Sequence, residues 1–457
     1  MKVNNLQKID IYSINDFHGI IEPRRHYSAA SVFSKLLSLK SSNPENTIIV
    51  SSGDMFESPA LMNKSPGYLT IQLMNLVGTA AMTVGNHDFD WFPKRKTYLQ
   101  EIQKHLDCPL ISCNLYNKQT GKRPSFIKPS ILIHVSGVNI AFIGLTTEEC
   151  FKICLREELG DIQVSNSVSS LKKEIDRVKN QGADIIIGIG HIGAFQDNPG
   201  DVIRGETAEL LKHFNKQDLH GFIAAHTHQH ISGEINGIKV VQAGAYGEGI
   251  GHIEIIINPG LKEKFIINSR EIKIEKSRTK KEIHPQILQI IQKQQQGDST
   301  KTEKIGFTNK DLIIDYERET FWGRFVAEAM QRKVSADIGF INSGAFRAAV
   351  KAGDLFVSDI IQNLPFDNTV LKILLKGKVI KNILEKPINR SMGKLQTTGI
   401  TKIHDDKDYT TAVSSFLAVG GDGYSEFATG AILEDTGVLV RDVVIDRIKA
   451  VGDIMPD

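Results

Sequence analysis

At 457 residues the chain is too long for one ordinary core, and roughly two to three domains are expected. Hydrophobic residues make up 41% and charged residues 24%, the balance of a folded globular protein and not of a disordered one. The 55 Lys and Arg set against 53 Asp and Glu leave a formal net charge of +2, which gives no basis for a nucleic-acid polymer or a membrane as partner.

The first residues, MKVNNLQKIDIYSIND, hold no apolar run of signal-peptide length and no small-residue cleavage site. No stretch of about 18 apolar residues follows, and the final IKAVGDIMPD carries no anchor signal. A cytoplasmic location is the expectation.

Short β-branched runs at 9–14, 48–51, 139–145, 185–189, 221–225, 239–243 and 252–257 read as buried strands. Helical patterns at 30–40, 69–76 and 168–179 alternate with them, the signature of an α/β layered domain over residues 1–284. Near Pro285 the character changes. ILQIIQKQQQ, then a small polar run, predicts a linker helix and linker over 285–304. A second α/β region occupies 305–457. Cys108, Cys113, Cys150 and Cys154 are too few for a disulfide scaffold. Cys150 and Cys154 have helical spacing but no second ligand pair nearby, and read as ordinary reduced thiols.

Several of the 14 histidines cluster with carboxylates just after predicted strands. Asp16 and His18 follow the run 9–14, and Asp54 follows 48–51. Asn86 and His87 stand in GNHDFD, His191 follows 185–189, and His226 and His228 follow 221–225. In open α/β sheets the ligand crevice lies beyond the carboxyl ends of the strands, so these segments can converge. A lone Asp-x-His or Gly-Asp means little; five such clusters in order mean more. Nitrogen and oxygen donors suit borderline divalent ions. Leaving His87 aside, seven candidate ligands remain, too many for one tetrahedral ion and a fit for two ions sharing a carboxylate.

The ordered forms NDFHG, SSGDMFESPAL, TVGNHDFDW, ISCNLY, IGIGHIGA and AAHTHQH resemble the 5'-nucleotidase family of calcineurin-like metallophosphoesterases. The resemblance covers nearly the whole chain. It implies an N-terminal four-layer αββα domain and a smaller C-terminal α/β nucleotide-binding domain. It implies one divalent ion (Mn, Zn or Co) held by Asp16, His18, Asp54 and His228. A second would be held by Asp54, Asn86, His191 and His226, with Asp54 bridging. His87 and Asp90 match the family's catalytic dyad, His87 meeting the phosphate and Asp90 orienting its ring. No direct role falls to Asp88. His230 reads as a solvated loop residue and His252 as structural.

In the C-terminal region, DIGFINSGAFR, LPFDNT and SFLAVGGDGY taken alone are strands, turns and core aromatics. The resemblance makes Phe366 and Phe416 a base sandwich, a sequence-tolerant contact because every base has a π-face. It sets Asn342, Asn368 and Asp422 around the nucleoside, and Arg318 and Arg347 near the nucleoside and phosphate, where a guanidinium fork suits anions. The chain departs from the family at Phe321-Trp322-Gly323-Arg324 and at Gly344-Ala345-Phe346-Arg347, where aromatics are expected to enter loops near the nucleoside. Ala225 replaces the usual glycine before His226.

The implied reaction is hydrolysis of nucleoside 5'-monophosphates, with pyrophosphate bonds of UDP-sugars also in reach. Three rivals share the motifs: a 2',3'-cyclic-nucleotide phosphodiesterase with 3'-nucleotidase activity, a thiosulfonate hydrolase, and a non-catalytic nucleotide sensor.

Overall fold

The computed structural model describes residues 7–19, 28–56, 66–89, 98–149, 161–258, 264–275, 283–295, 303–347, 349–387, 393–400 and 402–456. The chain divides into two compact units, Met1–Gln295 and Gln296–Asp457. Asp90, Cys150 and Cys154 lie outside the described residues.

Among the described residues the first unit holds a sheet of seven strands, a sheet of six and a two-stranded pair, Leu115–Asn117 with Ile162–Val164. In the first, the strands Gln7–Ile14, Thr47–Ser51 and Thr79–Thr83 run parallel side by side. In the second, Val138–Thr146, Ile185–His191 and Gly221–Ile223 do the same. Alternation along a strand sends successive side chains to opposite faces. Ile9 and Ile11 therefore enter a core made of strand residues from both sheets, among them Phe142, Ile187 and Ile253. Tyr12 and Ile14 face a second core shared with the helices Ser28–Ser42, Pro66–Val77 and Tyr98–His105. The helix Ser167–Asn180 covers the outer face of the six-stranded sheet through Leu171, Ile175 and Val178. Helix, sheet, sheet, helix is the expected four-layer order. Each fully buried isoleucine in these layers contributes about 1.5–3 kcal/mol.

The helix expected to link the domains, Pro285–Gln295, belongs to the first unit's packing. Ile287 and Ile291, one turn apart, sit with Ile283 in the core beneath the seven-stranded sheet. Apolar spacing on a helix records a buried face and does not tell an interdomain helix from a docked one.

The second unit holds a five-stranded and a three-stranded sheet. The strand Ile338–Asn342, second in the five-stranded sheet, sends Phe340 to one core and Ile341 to another. The helix Phe321–Lys333 starts at Thr320, whose side chain accepts the Gly323 N–H. This corrects the expectation for the aromatic departures. Trp322 lies in the first helical turn, 1% exposed, with its indole N–H donated to Asn363 Oδ1 at 2.8 Å. Phe346 is also buried in the core. No helix among the described residues is long and apolar enough to cross a membrane.

Candidate functional site

The strand Thr79–Thr83, which sequence patterning missed because its Ala-Ala centre has low β-propensity, leads into Asn86 and His87. Five parallel strands thus end at one place. Strand register aligns Ile14 with Ser51 and Ser51 with Met82, so the three loops beyond them start level. In the other sheet Ile189 aligns with Ile223, which levels His191 with the turn carrying His226 and His228.

Backbone bonds lace the loops together. Asp16 N–H donates to Gly53 O at 3.1 Å, and His18 N–H to Asp54 O at 3.0 Å. Five of the seven expected ligands sit in the left-handed region: Asp16 at φ 48°, His18 at 55°, Asp54 at 51°, His226 at 78° and His228 at 56°. Such backbone costs on the order of 1–3 kcal/mol per residue and collects at functional sites.

The donor atoms fall into two groups, Asp16 with His18 and His228, and Asp54 with His191 and His226. In the first, His18 Nε2 and His228 Nε2 are 3.0 Å apart, and His228 Nε2 lies 3.7 Å from Asp16 Oδ1. In the second, His191 Nε2 lies 3.0 Å from Asp54 Oδ2 and 3.0 Å from Asn86 Oδ1. Its Nδ1 is 2.8 Å from Ser52 O, so that nitrogen donates and Nε2 stays available as a ligand. The groups are joined: the His226 N–H reaches both Asp16 oxygens at 3.1 and 3.0 Å. The structure brings the seven residues expected from sequence together: six form these two groups, with Asp54 in the second, and Asn86 adjoins the second through His191.

The electrostatics ask for a cation. Asp16, Asp54 and Asp88 are buried together, and among the described residues no Lys or Arg pairs with them. Buried carboxylates need a counter-charge. Burial pushes Asp16 up to about 6 and Asp88 up to about 7, and Asp54's charge adds to both. Burial opposes ionisation of Asp54 too, but His191 and His87 hold it well below the usual carboxylate range. Burial also disfavours the His191 imidazolium, yet Asp54 raises it to about 10. A site of buried carboxylates and imidazole nitrogens, with no Lys or Arg paired to them among the described residues, fits divalent metal ions.

His87 is half-buried, its ring 5.3 Å from that of His18, and its N–H donates to Asp54 Oδ1 at 2.9 Å. It stands beside the ligands without joining either group. Asn15 and Tyr246 were missed, and Asp88 had been given no direct role. Asn15 donates to Asp16 Oδ2 at 2.7 Å. The Tyr246 ring packs 5.3 Å from that of His18 and 5.2 Å from that of His228. Its place in a loop just after the strand Ile238–Ala243 was the available signal. His252, as expected, is structural, with Nε2 2.8 Å from Asp10 Oδ1 and Nδ1 accepting from Arg270 at 3.1 Å. His230 is exposed, its Nδ1 2.5 Å from Glu271 Oε1.

In the second unit a run of contacts gathers six of the seven expected nucleoside residues. Asn342 Nδ2 donates to Asp422 Oδ2 at 2.7 Å. The Phe416 ring packs against Gly421, where a Cβ would overlap it. Ser415 Oγ links Asn368 Oδ1 at 3.3 Å to the Thr369 N–H at 3.1 Å. The Arg347 guanidinium sits 5.3 Å from the Phe366 ring centroid, a cation–π geometry. Arg318 does not join them by its side chain, which is exposed; its carbonyl accepts from Gln396 at 3.0 Å. Sequence reasoning missed Arg441, which donates to Pro365 O at 2.9 Å and Phe366 O at 3.1 Å and pairs with Asp367.

Fold, ligand groups and buried charge together define a metal-dependent hydrolase of phosphate esters. The calcineurin-like phosphoesterase family matches residues 9–230, and the 5'-nucleotidase C-terminal domain matches residues 298–401. The chain belongs to the calcineurin-like metallophosphoesterases, in the branch that carries this second domain. It is similar to the endonuclease YhcR of Bacillus subtilis, 27% identical over 95% of this chain, although it spans only 38% of that protein's length. It is 25% identical to a 5'-nucleotidase of Vibrio cholerae, over 97% of this chain and 90% of that one. The crystal structure of a 5'-nucleotidase precursor from Thermus thermophilus has the same fold, with TM-score 0.82 at 20% identity, covering 99% of this chain and 98% of that chain.

Proposed function

We propose that the chain hydrolyses nucleoside 5'-monophosphates to nucleoside and phosphate, and accepts the pyrophosphate bond of UDP-sugars. The observation that carries this reading is the joint presence of two ligand groups and a separate aromatic, amide and carboxylate cluster suited to a nucleoside. Asn342 Oδ1 is buried and lacks a partner among the described residues, an acceptor left for a nucleoside donor. Asp16, His18, Asp54 and His228 would hold one divalent ion (Mn, Zn or Co), and Asp54, Asn86, His191 and His226 a second; when bound, the pair would supply an activated water and neutralise charge on the phosphoryl oxygens. His87 meets the phosphoryl group and stabilises its growing charge, with Asp90 as the partner that orients the ring. Phe366 and Phe416 stack the base, and Asp422 accepts from the ribose hydroxyls. Arg347 faces the nucleotide's anionic side.

The test is phosphate release from 5'-, 3'- and 2',3'-cyclic nucleotides and UDP-sugars, with Mn, Zn or Co supplied. The 5'-monophosphates are expected to react fastest. A clear preference for cyclic and 3'-nucleotides would replace this reading with that of a cyclic phosphodiesterase. Binding without turnover of any member would leave a nucleotide sensor.

A further inference from the structure

Asp88 stands outside both ligand groups, yet its side chain is fully buried. Its Oδ2 accepts two backbone N–H groups, Asp54 at 3.1 Å and Gly85 at 2.8 Å. Those amides belong to different loops. One presents Asp54; the other presents Asn86 and His87. The short helical turn His87–Phe89 bends Asp88 back over Gly85, three residues earlier, which brings its carboxylate to the seam.

The seam has no slack. A Cβ on Gly53 would lie 2.7 Å from Gly85 N, and a Cβ on Gly85 would overlap Asp54 Oδ1. Asp54 itself is held at φ 51°, a conformation that persists only where the surroundings over-determine it. A further tie across the seam is the His87 N–H to Asp54 Oδ1 at 2.9 Å, which fixes the carboxylate directly. With Oδ1 so occupied, Oδ2 points to His191 Nε2 at 3.0 Å.

We propose that Asp88 is the positioning residue of the metal centre. Its carboxylate clamps the Asp54 and Gly85 amides, locks the two loops in register, and thereby aims the Asp54 carboxylate and the Asn86 amide at one ion. The proposal rests on the reading of these groups as ion ligands. Loss of the clamp leaves two buried N–H groups without an acceptor and frees Asp54 to leave its left-handed backbone. Asparagine keeps an oxygen that can accept both amides, and the unpartnered Oδ1 of Asp88 becomes its NH₂. Glutamate keeps the charge but moves the acceptor by one methylene.

The experiment uses the full chain, stripped with chelator and titrated with Mn by calorimetry. Activity toward p-nitrophenyl phosphate is measured in parallel across Mn concentrations. Asp88→Ala is expected to weaken Mn binding by about 10–100-fold, the usual effect of losing a group that orients a ligand. Excess Mn should recover part of its activity. Asp88→Asn should stay within about threefold of the parent, and Asp88→Glu should fall between the two. A general packing defect predicts a different outcome, in which added Mn rescues nothing. That result, or parent-like Mn affinity and kcat in Asp88→Ala and Asp88→Glu, overturns the clamp. If Asp88→Ala does not fold, an Asp88→Asn chain that folds and loses Mn affinity as badly as Asp88→Glu overturns it too. A parent chain that binds no Mn overturns the metal reading, and the clamp with it.

Discussion

Asp54 Oδ2 and His191 Nε2 lie 3.0 Å apart, although Asp54 follows a strand of the seven-stranded sheet and His191 ends a strand of the six-stranded one. The pair joins the two sheets at their carboxyl edge. It is also a spacing at which two donors can share one ion.

Asp54→Ala should therefore be the most damaging of the ligand substitutions. It removes the carboxylate nearest His191 and, on the bridging assignment, a ligand of both ions. Chelation should abolish phosphate release, and Mn, Co or Zn should restore it. Atomic emission on the purified variant should show metal lost along with activity. Full activity in a thoroughly stripped parent would contradict the metal assignment.

His87→Ala should keep both ions and lose most of kcat, by roughly 10²–10⁴-fold. The ring stands beside His18 but its nitrogens belong to neither ligand group. Metal content measured beside kcat separates the roles, because a drop in bound metal would make His87 a ligand.

Phe416→Ala should raise KM for a nucleotide by roughly five- to a hundred-fold, the worth of one stacked base. Hydrolysis of p-nitrophenyl phosphate should barely change. The ring is half-buried and packs against Gly421. Equal losses for both substrates, with a lower Tm, would make Phe416 a packing residue instead.

Arg441→Ala should reproduce part of that phenotype without touching a base. The guanidinium holds the carbonyls of Pro365 and Phe366 and the Asp367 carboxylate, and so fixes the turn that carries Phe366. Nucleotide KM should rise about three- to thirtyfold, from hydrogen bonds to a charged group. Lysine should not rescue it, since a single ammonium cannot span the three acceptors with a planar fork. Unchanged nucleotide KM would separate Arg441 from the site.

Cys108 and Cys113 should resist alkylation in the native protein and react after denaturation. Both are buried; burial pushes the Cys108 thiol up to about 12 and the Cys113 thiol higher still, so little thiolate forms at neutral pH. Peptide mapping after iodoacetamide treatment distinguishes these two positions from Cys150 and Cys154.

Six of the seven candidate ligands were legible because each stands just past an apolar strand whose pattern is local; the strand before Asn86 was not read, and Asn86 was found by its GNH motif alone. Asp16 follows the run ending at Ile14, Asp54 the run ending at Ser51, and His226 the run ending in Ala224 and Ala225. Strand periodicity and the placement of ligand crevices at strand ends need no knowledge of the partner sheet. The C-terminal cluster was less legible, because an aromatic before a turn looks the same in a core and in a binding cleft. Trp322 shows the ambiguity: read as a loop residue, it fills the core from a helix whose first turn it occupies.

By itself the sequence determined which donor types the protein carries and that they follow strands in a fixed order. Tertiary structure alone decided how they meet. It placed His226's amide on Asp16, 210 positions away, and Asn86 on His191, 105 away. It forced five ligands into left-handed backbone, laid the helix Pro285–Gln295 onto the first core, and set Asp88 across the seam of two loops. The reason is physical. Propensity and periodicity are short-range, whereas the partner of a buried polar group is chosen by whichever distant segment the packed sheets bring within hydrogen-bond reach.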